Sequence, residues 1–236
     1  MDELEGRHWW FQARRSIVGS VLQNIRAGRP GLRILEAGCG TGGNLRMLNK
    51  FGKVSAFDPD MTALRMARAK AGCQLKDGAL PDNIPFQRRS FDIAVALDVI
   101  EQVEDDAASL EQLRQHLKPD GKLLITVPAL PWMWSTHDEQ HHHFRRYTEE
   151  SLRKTLLDAG FQPEKIGYFN TLLFPVIAAM RGLKNAGLPL PANDDRLPRA
   201  SMNTLLRNIF ALERHLIHRI RLPIGVSLMA VCNAAR

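Results

Sequence analysis

The ten residues 34–43, ILEAGCGTGG, constrain the fold more than any other segment of the chain. An apolar run leads into Gly38, Gly40, Gly42 and Gly43 and then into a helical pattern, so a buried strand must end in a tight turn. Glycine is needed where a backbone turns sharply and a ligand approaches with no Cβ in the way. Free N–H groups at the start of the following helix favour a negative ligand group. The spacing Gly38-x-Gly40-x-x-Gly43 also satisfies the dinucleotide fingerprint, so the turn alone leaves its ligand open.

Around this turn, short apolar runs alternate with amphipathic stretches, the pattern of βα units over a parallel sheet. Strands are expected at residues 32–36, 54–58, 73–76, 91–97 and 122–127, with helices at about 43–51, 60–71 and 104–117. Another helix spans 9–26, and one opens at Thr148-Glu149-Glu150, where a hydroxyl N-cap precedes an acidic first turn. Strands near 166–170 and 226–231 close the pattern. Between them, two helical stretches flank a Pro-rich linker from Leu188 to Pro198.

Composition removes several classes. Apolar residues make up 44% and charged residues 24% of 236, which excludes disordered and fibrous chains. Three cysteines, Cys39, Cys73 and Cys232, contain no CxxC pair, so a disulfide scaffold or Cys-rich zinc module is excluded and a reduced, intracellular setting is expected. Lys and Arg exceed Asp and Glu by 32 to 25, a net charge of +7, which favours anionic partners. The first fifteen residues do not read as a signal peptide. The longest apolar stretch, 172–180, is about half the ~20 residues that span a bilayer. The expected location is the cytoplasm, with peripheral contact at the inner membrane face left open.

The remaining strand ends decide the ligand. Strand two ends in Phe57-Asp58-Pro59-Asp60, and a carboxylate there can accept from both ribose hydroxyls. Strand three ends in Lys76-Asp77-Gly78-Ala79, and strand four in Leu97-Asp98-Val99-Ile100-Glu101-Gln102-Val103. Strand five follows Leu117-Lys118-Pro119-Asp120-Gly121-Lys122. This ordered series resembles the class I S-adenosylmethionine-dependent methyltransferases over roughly residues 30–170 and the final strand. The loop after strand five is similar to small bacterial members of the ubiquinone-biosynthesis-like type.

The resemblance implies an α/β fold: a Rossmann-like seven-stranded sheet, mostly parallel with an antiparallel last strand, and helices on both faces. It implies S-adenosylmethionine as cofactor and S-adenosylhomocysteine as product. Glu36 would orient the loop of Gly38, Gly40 and Gly42, Asp58 hold the ribose, and Met61 pack on the adenine. Asp77, with the backbone of Gly78 and Ala79, would read the adenine amino group, and Asp98 would lie by the sulfonium. Many relatives carry His after the Glu of the fourth motif, where this chain has Gln102. NAD(P) binding is disfavoured because the acidic residue precedes the first glycine by two places and because L-K-P-D-G-K precedes strand five.

On the acceptor side, residues 128–147 read PALPWMWSTHDEQHHHFRRY, dense in aromatic and ionisable groups. A hydroxyl or ammonium acceptor must lose a proton to some base. The candidates are His143 first and His137 second, oriented by Asp138, with Arg145 or Arg146 gripping an anionic acceptor and Tyr147 beside them. Three consecutive histidines cannot point one way, and no second ligand cluster is evident, so no metal is expected. The fourth motif is not N-P-P-Y-like and no cysteine follows a proline, which disfavours nucleic acid as acceptor.

The flanks divide the chain into an N-terminal helical cap (1–29), a methyltransferase domain (30–170 and 225–236) and a helical lid insertion (171–224). Arg14 falls mid-face on the first helix, either snorkelling to water or meeting a carboxylate of the cofactor or acceptor, with Trp10 as an aromatic wall. Glu213 lies inside the apolar arc of 205–220, reflecting a helix boundary or a side chain aimed at the substrate pocket. The basic opposite side of that arc suits a peripheral membrane contact. The expected reaction is methyl transfer to a small-molecule or lipid-linked acceptor, at oxygen, with a His base. An RNA methyltransferase and a cofactor-binding protein without catalysis are the alternatives.

Overall fold

A computed structural model describes residues 2–70, 72–185 and 197–234. The chain runs α1 (Asp2–Arg7), α2 (Trp9–Arg26), β1 (Leu32–Ala37), α3 (Leu45–Leu48), β2 (Gly52–Asp58), α4 (Met61–Lys70), β3 (Gln74–Asp77) and β4 (Phe91–Leu97). It continues through a 3₁₀ turn at Ile100–Gln102, α5 (Asp106–His116), β5 (Leu117–Pro128), α6 (Thr136–Gln140), α7 (Glu149–Asp158) and β6 (Phe161–Phe169). The last elements are α8 (Phe174–Asn185), α9 (Ala200–Ala211), α10 (Glu213–Leu216) and β7 (Ser227–Ala234).

The seven strands form one sheet in the order β3-β2-β1-β4-β5-β7-β6. Six strands run in one direction, and β7 inserts antiparallel between β5 and β6. The central strands are buried along nearly their whole length, as continuous apolar runs such as Ile93–Leu97 require when both faces are covered. On one face Leu110, Leu113, Leu152 and Leu156 of α5 and α7 pack against Phe91, Leu123 and Ile125. On the other, Ile17, Val18 and Leu22 of α2 and Phe210 of α9 pack against Ile34, Val95 and Leu124.

Local chemistry sets the helix starts. Asp105 caps α5 by accepting from the Ala108 N–H at 2.9 Å, and Thr148 with Ser151 forms a reciprocal capping box on α7. α9 is joined to the start of α2, where Asn203 accepts from the Trp9 N–H at 2.9 Å and donates to the Arg7 carbonyl at 2.9 Å. Phe210 meets Trp9 edge-on and stacks with Phe169.

The sequence pattern misjudges several lengths. The helix expected at 43–51 is the four-residue α3, because the glycine turn occupies its first positions and the chain leaves the helix at Asn49. β5 begins at Leu117, ahead of the expected 122, because Leu117 already pairs with Phe91; residues 118–121 then bulge out before pairing resumes between Lys122 and Ile93. The apolar arc expected over 205–220 is divided between α9 and α10 at Leu212. The Pro-rich linker, apart from Leu197 and Pro198, lies outside the described residues. Among the described residues no helix is long and apolar enough to cross a membrane.

Candidate functional site

The loop after β1 turns on glycines with positive φ. Gly38 has φ +64°, and a Cβ there would lie 2.6 Å from Val99 Cγ2; Gly42 has φ +84°, with Leu45 Cδ1 at 2.9 Å from its Cβ position. A side chain at either would be strained and would clash. The Gly40 N–H donates to Asp58 Oδ2 at 2.7 Å, and the Asp60 N–H donates to Asp58 Oδ1 at 2.9 Å. Each carboxylate oxygen of Asp58 keeps lone-pair capacity for a further donor. Asp58 and Asp77 stand in register at the carboxyl ends of β2 and β3. Gly78 sits where a Cβ would meet the Asn83 carbonyl at 2.7 Å, Ala79 bridges Asn83, and Met61 is exposed at the start of α4.

Glu36 is buried beneath the loop. Asn44 Nδ2 donates to its Oε1 at 3.0 Å, while Oε2 has no hydrogen-bond partner. Burial pushes its carboxyl up to about 8, against the lowering effect of Asn44. Above the loop, Thr41 Oγ1 donates to Glu5 Oε2 at 2.6 Å, so α1 rests on the glycine turn. Asn44, Thr41 and Glu5 carry no motif signal, and their roles come from the turn that brings them together.

Asp98, directly after β4, adopts φ +58°, a conformation that a non-glycine residue holds only when its surroundings impose it. Those surroundings are explicit. The Asp98 N–H donates to the Thr126 carbonyl at 3.0 Å, Thr126 Oγ1 donates to Asp98 Oδ1 at 3.1 Å, and Gln102 Nε2 donates to the Asp98 carbonyl at 2.7 Å. Gln102, the departure from the usual His, thus pins the main chain of this turn. Arg14 pairs with Asp98 Oδ2 and lies over Trp10, 4.5 Å from the ring centroid. It is buried, which overturns the snorkelling alternative.

The loop after β5 is organised by Asp138. Its Oδ2 accepts from the Ser135 N–H at 2.8 Å and Oγ at 3.1 Å, and its Oδ1 accepts from His143 Nδ1 at 3.0 Å and Arg146 Nε at 2.8 Å. Burial opposes its charge, but His143 and Arg146 outweigh burial and hold it well below the usual carboxylate range. An ionised carboxylate only accepts, so the bond places a proton on His143 Nδ1, and in the neutral ring Nε2 is then the acceptor. His143 Nε2 lies 3.9 Å from Glu101 Oε1. His137 belongs to the same cluster through ring contacts with His141 and His143.

Other expected substrate contacts have different partners. Arg146 is buried and also donates to the Ala129 carbonyl at 2.9 Å. Arg145 pairs with Asp106 at 2.8 Å and donates to the Glu104 carbonyl, and the Tyr147 hydroxyl donates to Asp106 at 2.7 Å. These three side chains fasten the loop to the sheet and to α5 instead of presenting charge to an acceptor. Glu213 is likewise corrected: its carboxylate accepts the N–H groups of Asn170, Thr171 and Leu172 at 2.6–2.8 Å. Burial raises its carboxyl, less than it would without those bonds. Among the described residues no group of three His, Cys, Asp or Glu is arranged to hold a metal ion.

The residues fit a nucleoside-linked amino acid cofactor: a glycine turn with no room for a Cβ at Gly38 or Gly42, two carboxylates in register beyond it, and an unpartnered buried oxygen on Glu36. Comparison with known proteins agrees. Residues 9–166 match the family model described as a methyltransferase domain. A malonyl-[acyl-carrier protein] O-methyltransferase of Serratia marcescens is 28% identical over 178 residues, covering 72% of this chain and 69% of the relative. A highly reducing polyketide synthase of Pyrenophora dematioidea is 32% identical over 161 residues, 56% of this chain and 6% of the synthase; the chain thus spans only a small part of that relative's length. Among solved structures, an S-adenosylmethionine-dependent methyltransferase from Mesorhizobium loti aligns with TM-score 0.59 at 19% identity, covering 89% of this chain and 96% of the other, a likeness of fold. The glycine turn, the paired carboxylates and the family match together make the chain a member of the class I S-adenosylmethionine-dependent methyltransferases.

Proposed function

We propose that this enzyme methylates an oxygen of a small-molecule or lipid-linked acceptor, with His143 as the base. The observation that carries this reading is the His143 Nδ1 to Asp138 Oδ1 contact of 3.0 Å. It fixes the tautomer that leaves Nε2 free to take a proton, and Asp138 is itself anchored by Ser135 and Arg146. S-adenosylmethionine supplies a methyl group on a positively charged sulfur. Asp58 holds the ribose, Asp77 the adenine and Glu36 the amino acid end, while Asp98 and Arg14 close the site beside β4.

Residues 1–29 act as a cap and 171–224 as a lid. Glu5 on Thr41 supports the first role. For the second, Phe174 meets Trp132 at 6.3 Å and Arg181 donates to the Met133 carbonyl at 2.8 Å. Trp132, Val176 and Met180 are exposed on this side, which suits an acceptor with a hydrophobic portion and a membrane surface as its source.

The test is incubation with methyl-labelled S-adenosylmethionine and cellular small-molecule and lipid extracts, followed by identification of the labelled product. An O-methyl product is expected. His143→Ala should lower turnover about 10²–10⁴-fold with little change in S-adenosylhomocysteine affinity. A label on carbon or on RNA, or full turnover in the variant, would overturn the reading.

A further inference from the structure

Among the described residues, Glu101 is the most anomalous side chain. It is fully buried, and neither carboxyl oxygen meets a hydrogen-bond donor from another residue. Buried carboxyls are ordinarily paired or hydrogen-bonded, because desolvating the charge is costly. Nothing about the fold asks for one here: the turn is held by backbone bonds, with the Phe144 N–H donating to the Glu101 carbonyl at 2.8 Å.

The groups facing it come from every neighbouring element. Asp98 follows β4, Arg14 comes from α2, and Arg146, His143 and Tyr147 come from the loop after β5. Burial first, and Asp98 second, push its carboxyl well above the ordinary range, while Arg14 and Arg146 pull the other way. The turn that carries Glu101 also touches the cofactor loop, since Val99 Cγ2 lies 2.6 Å from where a Gly38 Cβ would be. Glu101 is fully buried, so a cation held on that loop acts on it through little water.

We propose that Glu101 is the proton sink of this site, giving up its proton when a cationic methyl donor enters the pocket and recovering one, through His143, as the donor loses its charge. The proposal rests on the reading of His143 as base and adds a group behind it. With the donor bound, the Glu101 carboxylate faces His143 Nε2 and stabilises the imidazolium that forms there. The acceptor's proton goes to Nε2 and its oxygen gains the methyl group, while the electron pair of the broken C–S bond stays on the sulfur. The sulfur is then neutral, the charge that kept Glu101 ionised is gone, and the proton passes from Nε2 to the carboxylate. Donor cation and carboxylate at the start become a neutral thioether and a neutral acid at the end, so charge and atoms balance. The base is thereby strengthened only while a methyl group is available.

The experiment needs no acceptor. Binding of S-adenosylmethionine and of S-adenosylhomocysteine is measured by titration calorimetry at pH 7 in two buffers of different ionisation enthalpy, which counts the protons exchanged. Both ligands carry the same amino acid end, so any contribution from Glu36 cancels in the difference. The sulfonium ligand should release up to one proton more than the thioether, and Glu101→Gln should abolish the difference while keeping S-adenosylhomocysteine affinity within about twofold. Equal proton counts in the parent protein, or a difference that survives in Glu101→Gln, would overturn the proposal. Should that variant fail to fold, infrared difference spectra of the parent with each ligand decide the matter. A protonated carboxyl band that is lost with the sulfonium and kept with the thioether is expected, and a band unchanged between them refutes it. Failure of either ligand to bind would instead strike at the cofactor assignments beneath it.

Discussion

Arg14 and Asp98, 84 residues apart, meet as an ion pair between the first long helix and the end of the central strand β4. The guanidinium is sandwiched between that carboxylate and the Trp10 ring. Removing one member of a buried pair leaves an uncompensated charge, so Arg14→Ala should destabilise the protein by about 3 kcal/mol in urea unfolding. Arg14→Lys should recover less than half of this, because an ammonium cannot stack on the indole as a planar guanidinium does.

Glu36 predicts a pH dependence with a definite sign. Its carboxyl ionises near 4.5 when solvated and near 8 when folded, so the folded state holds the proton more tightly between those values. The stability it contributes is complete below about 4.5 and is lost as the pH rises to about 8. Glu36→Gln should therefore melt close to the parent at pH 5 and above it at pH 8.5, while binding S-adenosylhomocysteine more weakly. A melting difference that does not grow with pH would remove the burial argument.

Asp58→Ala deletes a carboxylate that organises Gly40 and Asp60 and is assigned to the ribose. Calorimetry should show S-adenosylmethionine affinity weakened by about 1.5–3 kcal/mol, the range for hydrogen bonds to a charged group, with circular dichroism unchanged. Unaltered affinity would free the ribose assignment for another residue.

Glu213→Ala takes away the acceptor of three main-chain N–H groups at the exit from β6. Leaving such groups buried and unpaired should cost about 3 kcal/mol of stability. S-adenosylhomocysteine affinity should stay within about twofold, which separates this scaffold role from a role in the pocket.

The cofactor half of the proposed site can be laid out from sequence because its chemistry is local. Glycines, Asp58, Asp77 and Asp98 each stand at the end of a strand, and strand ends are marked by short motifs that survive without knowledge of packing. The acceptor half was legible only as a cluster. Sequence order places His143, Asp138, Arg145, Arg146 and Tyr147 within ten positions, but which of them face one another depends on a capping box at Ser135 and on where Asp106 arrives from α5. Glu101 is visible in its motif, but its burial without a partner is not, since that is a property of the surrounding elements. Glu213 misled because an acid in an apolar arc signals only that a polar partner exists; that partner was the backbone of β6's exit, more than forty residues earlier.

The place of β7 between β5 and β6 has a consequence for how the molecule is made. Every residue of the neighbouring strand β6 reaches the sheet only through β7, and β7 is the last of the seven to be synthesised. On a ribosome, β6 emerges with no edge to join and must wait, with its pairing groups open to solvent and chaperones, until residues 227–234 leave the exit tunnel. Strands β1–β5 can assemble early around the cofactor loop, whereas β7 and β6 complete the sheet in one late, long-range event.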